Sequence, residues 1–145
     1  MGQLQRNKMR AIKQIRLQHY DYKSDGYYFV TAVADYRQPY FKGKETAVER
    51  ELKDLKSKTL GLDLDYFVIM PNHVHIIFIL RNCQISLGEI VRRFKAKVSH
   101  NFGSGIWQPN YYEHVIRNEK ALNKIREYII NNPLELLLKF DQFYK

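Results

Sequence analysis

Residues 66–80 constrain the fold more than any other stretch, because two apolar runs in this segment flank the dipeptide Pro71-Asn72. Proline presets its own backbone angle and asparagine tolerates unusual ones, so this pair favours a tight turn. The runs on either side have the length and composition of strands. The segment is therefore predicted to be a β-hairpin.

The second strand of this hairpin carries two histidines at alternate positions. Side chains alternate between the two faces of a strand, so His73 and His75 project from the same face. The strand is otherwise apolar on both faces and belongs inside a sheet, where an imidazole is costly unless its nitrogens have partners. Two neutral imidazoles can also share one metal ion. The spacing alone leaves both interpretations open, a hydrogen-bonded buried pair and a metal site.

Composition indicates one folded domain spanning residues 1–145. Hydrophobic residues make up 45% of the chain and aromatic residues 14%, which excludes disorder for most of it. Lysine and arginine outnumber aspartate and glutamate by 24 to 15, a formal net charge of +9. This charge favours a polyanionic partner, with nucleic acid as the first candidate, although a merely basic protein has the same composition.

The cysteine content and the hydropathy of the chain indicate a cytoplasmic protein. Cys83 is the one cysteine of the sequence, which excludes an internal disulfide and a cysteine-based zinc site and fits a reducing compartment. We find no signal-peptide pattern and no run of the ~20 apolar residues that a membrane span requires. We therefore expect no membrane partner.

The predicted elements follow the order strand, helix, strand, strand, helix, strand, helix. They are placed at residues 27–34, at 46–58, in the two arms of the hairpin, from residue 86 onward, at 111–117 and from 119 to about 132. This order is the split β-α-β pattern of a ferredoxin-like domain of the α+β class. We expect an antiparallel sheet of four to five strands with helices on one face, which leaves the other face available for a ligand.

Three helix starts have capping signals. Thr46 with Glu49, and Ser86 with Glu89, fit the capping box in which a hydroxyl side chain and a glutamate satisfy the first backbone N–H groups. Asn118 can cap the last helix in the same sense.

The helix after Ser86 is predicted to have a cationic face opposite its apolar stripe. That face is formed by Arg92, Arg93, Lys95 and Lys97. Four cations with no acid between them exceed what solubility requires, so contact with phosphate is favoured over a merely solvated face.

Two further segments are candidates for contact with nucleic acid. Trp107 lies in a glycine-rich loop and could stack on an unpaired base, although core packing is the commoner role of a lone tryptophan. The basic arm at residues 1–18, with Arg10 and Arg16, could lie along phosphates or be a solvated tail. Residues 134–145 are expected to be a short C-terminal tail without a motif.

The last predicted helix carries Tyr128 and Asn132, which lie four residues apart and therefore on the same side. If this helix crosses the histidine strand, both imidazoles and the Asn132 oxygen could hold a divalent cation beside the phenol. A cation so placed could polarise a phosphodiester while a tyrosinate attacks phosphorus. His114, in the last strand, is a secondary candidate for a third ligand. Eleven tyrosines are present, so position alone does not select Tyr128.

Several short motifs occur in a specific order along the chain. They are Tyr20-Asp21-Tyr22, Tyr28-Phe29-Val30-Thr31, Met70-Pro71-Asn72-His73-Val74-His75, Leu87-Gly88-Glu89-Ile90, Phe94-Lys95, Ile106-Trp107-Gln108, Tyr111-Tyr112-Glu113-His114-Val115-Ile116-Arg117, Tyr128-Ile129 and Asn131-Asn132-Pro133. Through this combination the sequence resembles the single-strand HUH transposases that use one tyrosine, and among them the REP-associated tyrosine transposases.

The resemblance implies a role for each residue of the site. His73 and His75 would be the metal-binding pair, Tyr128 the nucleophile, and Asn132 a third, polar ligand one helical turn after the tyrosine. It further implies Mg²⁺ or Mn²⁺ as the cofactor and single-stranded DNA, often with a hairpin near the cleavage point, as the substrate. The product would be a 5′-phosphotyrosine with a free 3′-hydroxyl.

Rival interpretations remain at this stage. A DNA- or RNA-binding module could keep the ferredoxin-like fold and the basic face without cleaving anything. A hydrolase could use His73 and His75 to activate water, but the Asp, Glu and extra His ligands usual in such sites are not evident nearby. A cupin-like site also uses two such histidines, and the order of strands and helices argues against it. The sequence leaves a monomer and a homodimer equally open.

Overall fold

The computed structural model describes residues 25–131, within which four antiparallel strands form one sheet with three helices. The elements are β1 Gly26–Val33, α1 Glu45–Lys58, β2 Leu62–Met70, β3 His73–Leu80, α2 Leu87–Phe102, β4 Tyr112–Ile116 and α3 Glu119–Asn131. The strand order is β2-β3-β1-β4. This is the predicted ferredoxin-like α+β arrangement. Arg10, Arg16, Asn132 and the predicted arm and tail lie outside the described residues.

The strand β3 lies in the interior of the sheet, as the apolar sequence around the two histidines predicts. It pairs with β1 on one side and with β2 on the other, and all eight of its residues are buried. The predicted hairpin is present, because Met70 pairs with His73 across the Pro71-Asn72 turn. The histidines therefore stand at the turn end of β3, beside Val33 at the end of β1.

The two faces of the sheet are covered by different helices. On one face α1 and α2 pack against the even-numbered side chains of β3, from Val74 to Leu80. On the other face α3 packs against Ile77 and Ile79, which share a face with the histidines. The expectation of helices on one face only therefore holds for α1 and α2 and is wrong for α3. The central strands are apolar on both faces, so both faces need a cover.

One predicted helix start is confirmed and one is wrong. At α2 the Ser86 hydroxyl accepts a hydrogen bond from the Glu89 backbone N–H at 3.2 Å. At α1 the N-cap residue is Lys44, which has no side-chain capping bond, and Thr46 lies inside the helix. The Lys44 carbonyl already accepts bonds from the N–H groups of residues 47 and 48, so the helix begins at Glu45.

The helices between residues 25 and 131 are short and amphipathic. None of them combines the length and apolar character needed to cross a bilayer.

Candidate metal and tyrosine site

The two histidine rings lie against each other in the interior of the protein. Both residues are fully buried, and their ring centroids are 4.6 Å apart with the planes inclined at 72°. Burial of two imidazoles is tolerable only where their nitrogens have partners. The pair therefore depends on the polar groups that surround it.

Each imidazole has a hydrogen-bond partner at Nδ1. The His73 Nδ1 lies 2.7 Å from the Asn72 side-chain oxygen, and the His75 Nδ1 lies 2.7 Å from the Thr31 hydroxyl. An amide oxygen only accepts, so His73 donates from Nδ1 and keeps its lone pair on Nε2. A threonine hydroxyl can either accept from or donate to an imidazole nitrogen, so the Thr31 contact orients the His75 ring without selecting its tautomer. For His73, the Asn72 oxygen favours the tautomer in which Nε2 can coordinate a metal.

The residues present fit a divalent cation only as a partial ligand set. Among residues 25–131 no group of three or more His, Cys, Asp or Glu side chains is positioned to hold a metal ion. Two imidazoles supply two nitrogens, and the remaining ligands would come from Asn132, substrate or water.

His114 is not the third member of such a group. His114 lies on β4, and β1 stands between β4 and the histidine strand β3. It pairs with Phe29 of β1, and the two rings stack with centroids 6.3 Å apart and nearly parallel planes. The Phe29 ring also lies 5.5 Å from the His75 ring. An aromatic ring thus separates His114 from the pair, although all three histidines stand on the same face of the sheet.

The helix α3 brings Tyr128 to the histidine face of the sheet. Its apolar stripe, Leu122, Ile125 and Ile129, is buried there, and the half-buried Tyr128 packs at the edge of the same cluster. The predicted cap is also present, because the Asn118 side-chain oxygen accepts a 2.8 Å hydrogen bond from the Ala121 N–H. The helix α3 therefore lies on the same sheet face as the histidines, as a shared site requires, and a joint role of Tyr128 with the histidine pair stays a prediction.

An irregularity in β2 supplies an anchor for α3. The register of β2 against β3 shifts between Leu64 and Tyr66, which leaves Asp65 as an extra residue in the manner of a β-bulge. The Asp65 carboxylate accepts two hydrogen bonds from the Arg126 guanidinium, from Nε at 2.7 Å and from Nη2 at 2.5 Å. The carboxylate beside it raises the pKa of Arg126, which stays charged throughout the accessible pH range.

The predicted cationic face of α2 lies on the other side of the sheet and is internally paired. Glu89 accepts hydrogen bonds from both Arg92 and Arg93, at 2.6 to 2.8 Å. These two guanidinium groups lower the pKa of Glu89 to about 2. Lys97 forms an ion pair with Asp54 of α1. Contact of these cations with phosphate stays a prediction.

Lys95 and Trp107 have structural partners. The Lys95 ammonium donates to the carbonyl oxygens of Gln108 and Asn110, and burial lowers its pKa to about 8. The Trp107 indole donates to the Lys95 carbonyl at 3.1 Å, and its ring packs against Phe41 at 5.1 Å. Both residues hold the loop before β4, and a role in base stacking stays a prediction.

The residues that support the site are not among those predicted from the sequence. Thr31 and Asn72 hold the imidazoles, and Asp65 with Arg126 holds the tyrosine helix. Thr31 has a readable signal, since it is the one polar side chain among the buried residues of β1. Asp65 has none, because a bulge is not visible in the pattern of apolar residues.

The chain is similar to known proteins over most of its length. A family model described as "Transposase IS200 like" matches residues 22–132. A Haemophilus influenzae protein of unassigned function is 36% identical over 169 aligned residues, which cover 91% of this chain and 92% of that protein. The REP-associated tyrosine transposase of Escherichia coli is 26% identical over 122 residues, covering 71% of this chain and 74% of that protein.

One solved structure has the same fold over most of the described chain. It is a REP-associated tyrosine transposase bound to a REP hairpin, similar with a TM-score of 0.72 and 24% identity. The likeness covers 83% of this chain and 74% of that one. At 24% identity this likeness shows a common fold and no more. The match to the family model includes both histidines and the helix that carries Tyr128.

Proposed function

Because the chain belongs to the IS200-like transposase family, we propose that it cleaves and rejoins single-stranded DNA through a tyrosine-linked intermediate. DNA transposition is the general function that family membership supports. The observation that carries the finer proposal is the meeting of two elements on one sheet face. There, the half-buried Tyr128 of α3 and the buried His73 and His75 of β3 lie on the same face.

Tyr128 is the nucleophile in this proposal. Its phenolic oxygen attacks the phosphorus of a phosphodiester and forms a new P–O bond, while the bond from phosphorus to the 3′ oxygen breaks. The phenolic proton is balanced by the proton that the leaving 3′ oxygen takes up. The products are a 5′-phosphotyrosine and a free 3′-hydroxyl. One phosphodiester is exchanged for another, so a second 3′-hydroxyl can reverse the step without an external energy source.

His73, His75 and Asn132 are the proposed metal ligands, with Mg²⁺ or Mn²⁺ as the cation. A bound cation would polarise the phosphodiester and stabilise the charge that develops on its oxygens. Mn²⁺ accepts imidazole nitrogen more readily than Mg²⁺, which prefers oxygen ligands. We therefore expect stronger support from Mn²⁺ at equal concentration.

The polar groups around the histidines keep both rings in one orientation. Asn72 and Thr31 each engage an Nδ1 atom at 2.7 Å, which orients both rings and, through the Asn72 oxygen, holds the lone pair of His73 at Nε2. Tyr128, on the same face of the sheet, supplies a nucleophile of the protein's own, which supports strand transfer rather than hydrolysis.

A hairpin-bearing single strand is the proposed substrate. The solved structure with the same fold holds a REP hairpin, and the Escherichia coli relative is named for its association with REP sequences. The net charge of +9 suits a polyanionic partner of this kind. We propose DNA hairpins flanking the chain's own gene as the first substrates to examine.

The proposal is tested by the covalent adduct that it requires. Purified protein is incubated with end-labelled single-stranded oligonucleotides, with and without hairpins, in Mn²⁺ or in EDTA, and resolved by denaturing electrophoresis. We expect a slowly migrating protein–DNA adduct that needs metal and is absent in Tyr128→Phe. Tyr66, an exposed tyrosine of β2, provides the matched control, because Tyr66→Phe removes the same hydroxyl from a neighbouring element.

The alternatives give different results in the same experiment. Hairpin binding without an adduct in any metal would favour the non-catalytic DNA- or RNA-binding module. Cleavage without an adduct would favour the hydrolase. An adduct that survives in Tyr128→Phe and disappears in Tyr66→Phe would show that the nucleophile lies on β2 and not on α3.

A further inference from the structure

The loop between β1 and α1 exposes aromatic and cationic side chains next to one another. It comprises residues 35–44 and is called the Tyr36 loop below. Tyr36 is 86% exposed and Tyr40 is 41% exposed. Three cations lie in the same segment, with no acidic residue between positions 36 and 44, and these are Arg37, Lys42 and Lys44.

The Tyr36 loop is firmly attached to the protein. The Phe41 side chain is fully buried, and its ring lies 5.1 Å from the Trp107 ring and 6.0 Å from the Phe102 ring. The backbone N–H of Phe41 donates to the Pro71 carbonyl at 2.9 Å. A loop anchored in this way presents its exposed side chains on a rigid support, which lowers the entropy cost of binding.

The attachment places the loop beside the histidine pair. Val33, the last residue of β1, pairs with His73. The next N–H, that of Ala34, donates to the carbonyl of Asn72, whose side chain in turn engages the His73 ring. Tyr36 follows Val33 by three residues, so their Cα atoms are at most about 11 Å apart. Because Phe41 packs in the cluster on the α1 and α2 face, a strand bound at the histidines would reach the loop by passing the turn end of the sheet.

The backbone at Tyr36 is strained, and packing does not explain it. Tyr36 has φ 51° and Arg37 has φ 55°, both in the left-handed region that favours glycine. A residue in this conformation normally needs compensation from its surroundings, yet the Tyr36 ring is almost fully in solvent. The chain keeps a large, exposed aromatic side chain in a conformation that glycine adopts without strain, which points to a use for the ring outside the folded chain.

The charges of the loop differ from those of α2. Arg92 and Arg93 both bind Glu89, and Lys97 binds Asp54. Within residues 25–131, by contrast, neither Lys42 nor Lys44 is joined to a carboxylate, and both are exposed. The Lys44 ammonium lies over the Phe102 ring, 5.3 Å from its centroid, so neither lysine has to leave a carboxylate when it meets a phosphate. The loop is therefore the better electrostatic surface for a strand near the histidines.

We propose that the Tyr36 loop binds the single strand beside the histidine pair, with the Tyr36 ring stacked on an unpaired base and Lys42 and Lys44 near its phosphates. This inference rests on the proposed function and adds a binding surface to it. Aromatic rings interleaved with cations are the usual means of binding unpaired nucleotides without reading their sequence. Stacking uses the face of the base, so little dependence on base identity is expected.

The experiment measures binding of a fluorescein-labelled oligothymidylate by anisotropy in EDTA, so that no chemistry is required. Tyr36→Gly should weaken binding by a factor between about 5 and 150, the range expected for the loss of one stacked base. Its thermal unfolding temperature should stay equal or rise, because glycine adopts φ 51° without strain. Tyr36→Phe keeps the ring and should retain most of the binding.

Matched controls separate stacking from general loss of surface. Leu60 is 84% exposed in the connection between α1 and β2, at the opposite end of the sheet from the histidines, so Leu60→Gly should leave binding unchanged. Replacing Lys42 and Lys44 together by Gln should flatten the slope of log affinity against log salt by about 1.4, or about 0.7 for each phosphate contact.

Binding by Tyr36→Gly equal to that of the wild type would overturn the inference while the tyrosine chemistry stood. The inference fails equally if Tyr36→Phe loses as much binding as Tyr36→Gly, since stacking needs only the ring. The adduct assay on the wild type separates this result from failure of the proposed function. If the wild type forms the adduct while Tyr36→Gly binds DNA normally, the role of Tyr36 is refuted and the proposed role of Tyr128 is kept. Absence of both binding and adduct in the wild type would remove both proposals.

Discussion

Asp65 and Arg126 join the bulge of β2 to the helix that carries Tyr128, through two hydrogen bonds between one carboxylate and one guanidinium. The carboxylate is largely buried, whereas the guanidinium is partly in solvent. Because Arg126 lies two residues before Tyr128, the pair fixes both the depth and the rotation of α3 on the sheet. The position of Tyr128, the proposed nucleophile, thus depends on a contact between two other residues of the protein.

We expect Arg126→Gln to slow formation of the tyrosine adduct by between about tenfold and a hundredfold, because a small displacement of a nucleophile has effects of this size. Hairpin binding should change little, since the histidines and the Tyr36 loop are unaltered. The free energy of unfolding should fall by about 1 to 2 kcal/mol, the value of a partly exposed charged hydrogen bond. Single-turnover adduct kinetics, anisotropy and urea unfolding measure the three effects.

Lys53 of α1 provides the control for this ion pair. Its contact with Glu49 is an exposed pair four residues apart within one helix, on the far side of the sheet from Tyr128. Lys53→Gln should leave adduct formation unchanged. Equal slowing in both variants would show that a general loss of stability, and not the position of α3, limits the reaction.

The residues that orient the histidine rings give a second prediction. Thr31→Val removes the hydroxyl that lies 2.7 Å from the His75 Nδ1 and keeps the shape of the side chain. Loss of such a partner is expected to weaken metal affinity by between about tenfold and a hundredfold. Titration of Mn²⁺ by calorimetry measures the change without any DNA.

Thr31→Ser is the matched variant for that titration, because it keeps the hydroxyl and removes only a methyl group. We expect it to bind Mn²⁺ nearly as well as the wild type. If Thr31→Val and the wild type had the same affinity for Mn²⁺, the contact between Thr31 and His75 would be merely a satisfied buried hydrogen bond.

The sequence predicts the order of the elements, because each depends on a local pattern. The hairpin follows from the Pro71-Asn72 turn and the flanking apolar runs, and the start of α2 follows from Ser86 and Glu89. The predicted start of α1 is wrong because a backbone carbonyl, that of Lys44, takes the role assigned to a side chain. Local patterns do not reveal which of two competing caps forms.

The sequence predicts those parts of the site that depend on local geometry alone. His73 and His75 share a face by the alternation of a strand, which needs no knowledge of the tertiary structure. The face that α3 covers, the bulge at Asp65 and the exposure of Tyr36 all depend on contacts between distant segments. The pairing of Arg92 and Arg93 with Glu89 could have been predicted from the sequence, because residues three and four apart on a helix are neighbours.

Burial of Lys95 predicts a rise in stability at alkaline pH. Its pKa is lowered from 10.5 to about 8 in the folded protein, so the unfolded chain binds more protons between these two values. The free energy of unfolding therefore increases as the pH rises from about 8 to 10.5. The neutral amine can still donate to the carbonyls of Gln108 and Asn110.

Urea unfolding of the wild type and of Lys95→Met across this pH range isolates that contribution. All other titrating groups are common to both proteins, so the difference between the two curves reports Lys95 alone. We expect the rise to be absent in Lys95→Met. Parallel curves would mean that the two carbonyl contacts fully offset the cost of burying the ammonium.

Glu89 decides whether the cations of α2 are available to DNA. Its carboxylate binds Arg92 and Arg93, and its pKa of about 2 means that both contacts persist until strongly acidic pH. Glu89→Gln removes this competitor and should strengthen binding to single-stranded DNA, with the salt slope steeper by about 0.7 for each arginine that then meets a phosphate. Anisotropy titrations over a range of salt concentrations provide the measurement. An unchanged slope would show that α2 stays away from the strand and would leave the predicted cationic face a structural feature of the α1 and α2 side of the sheet.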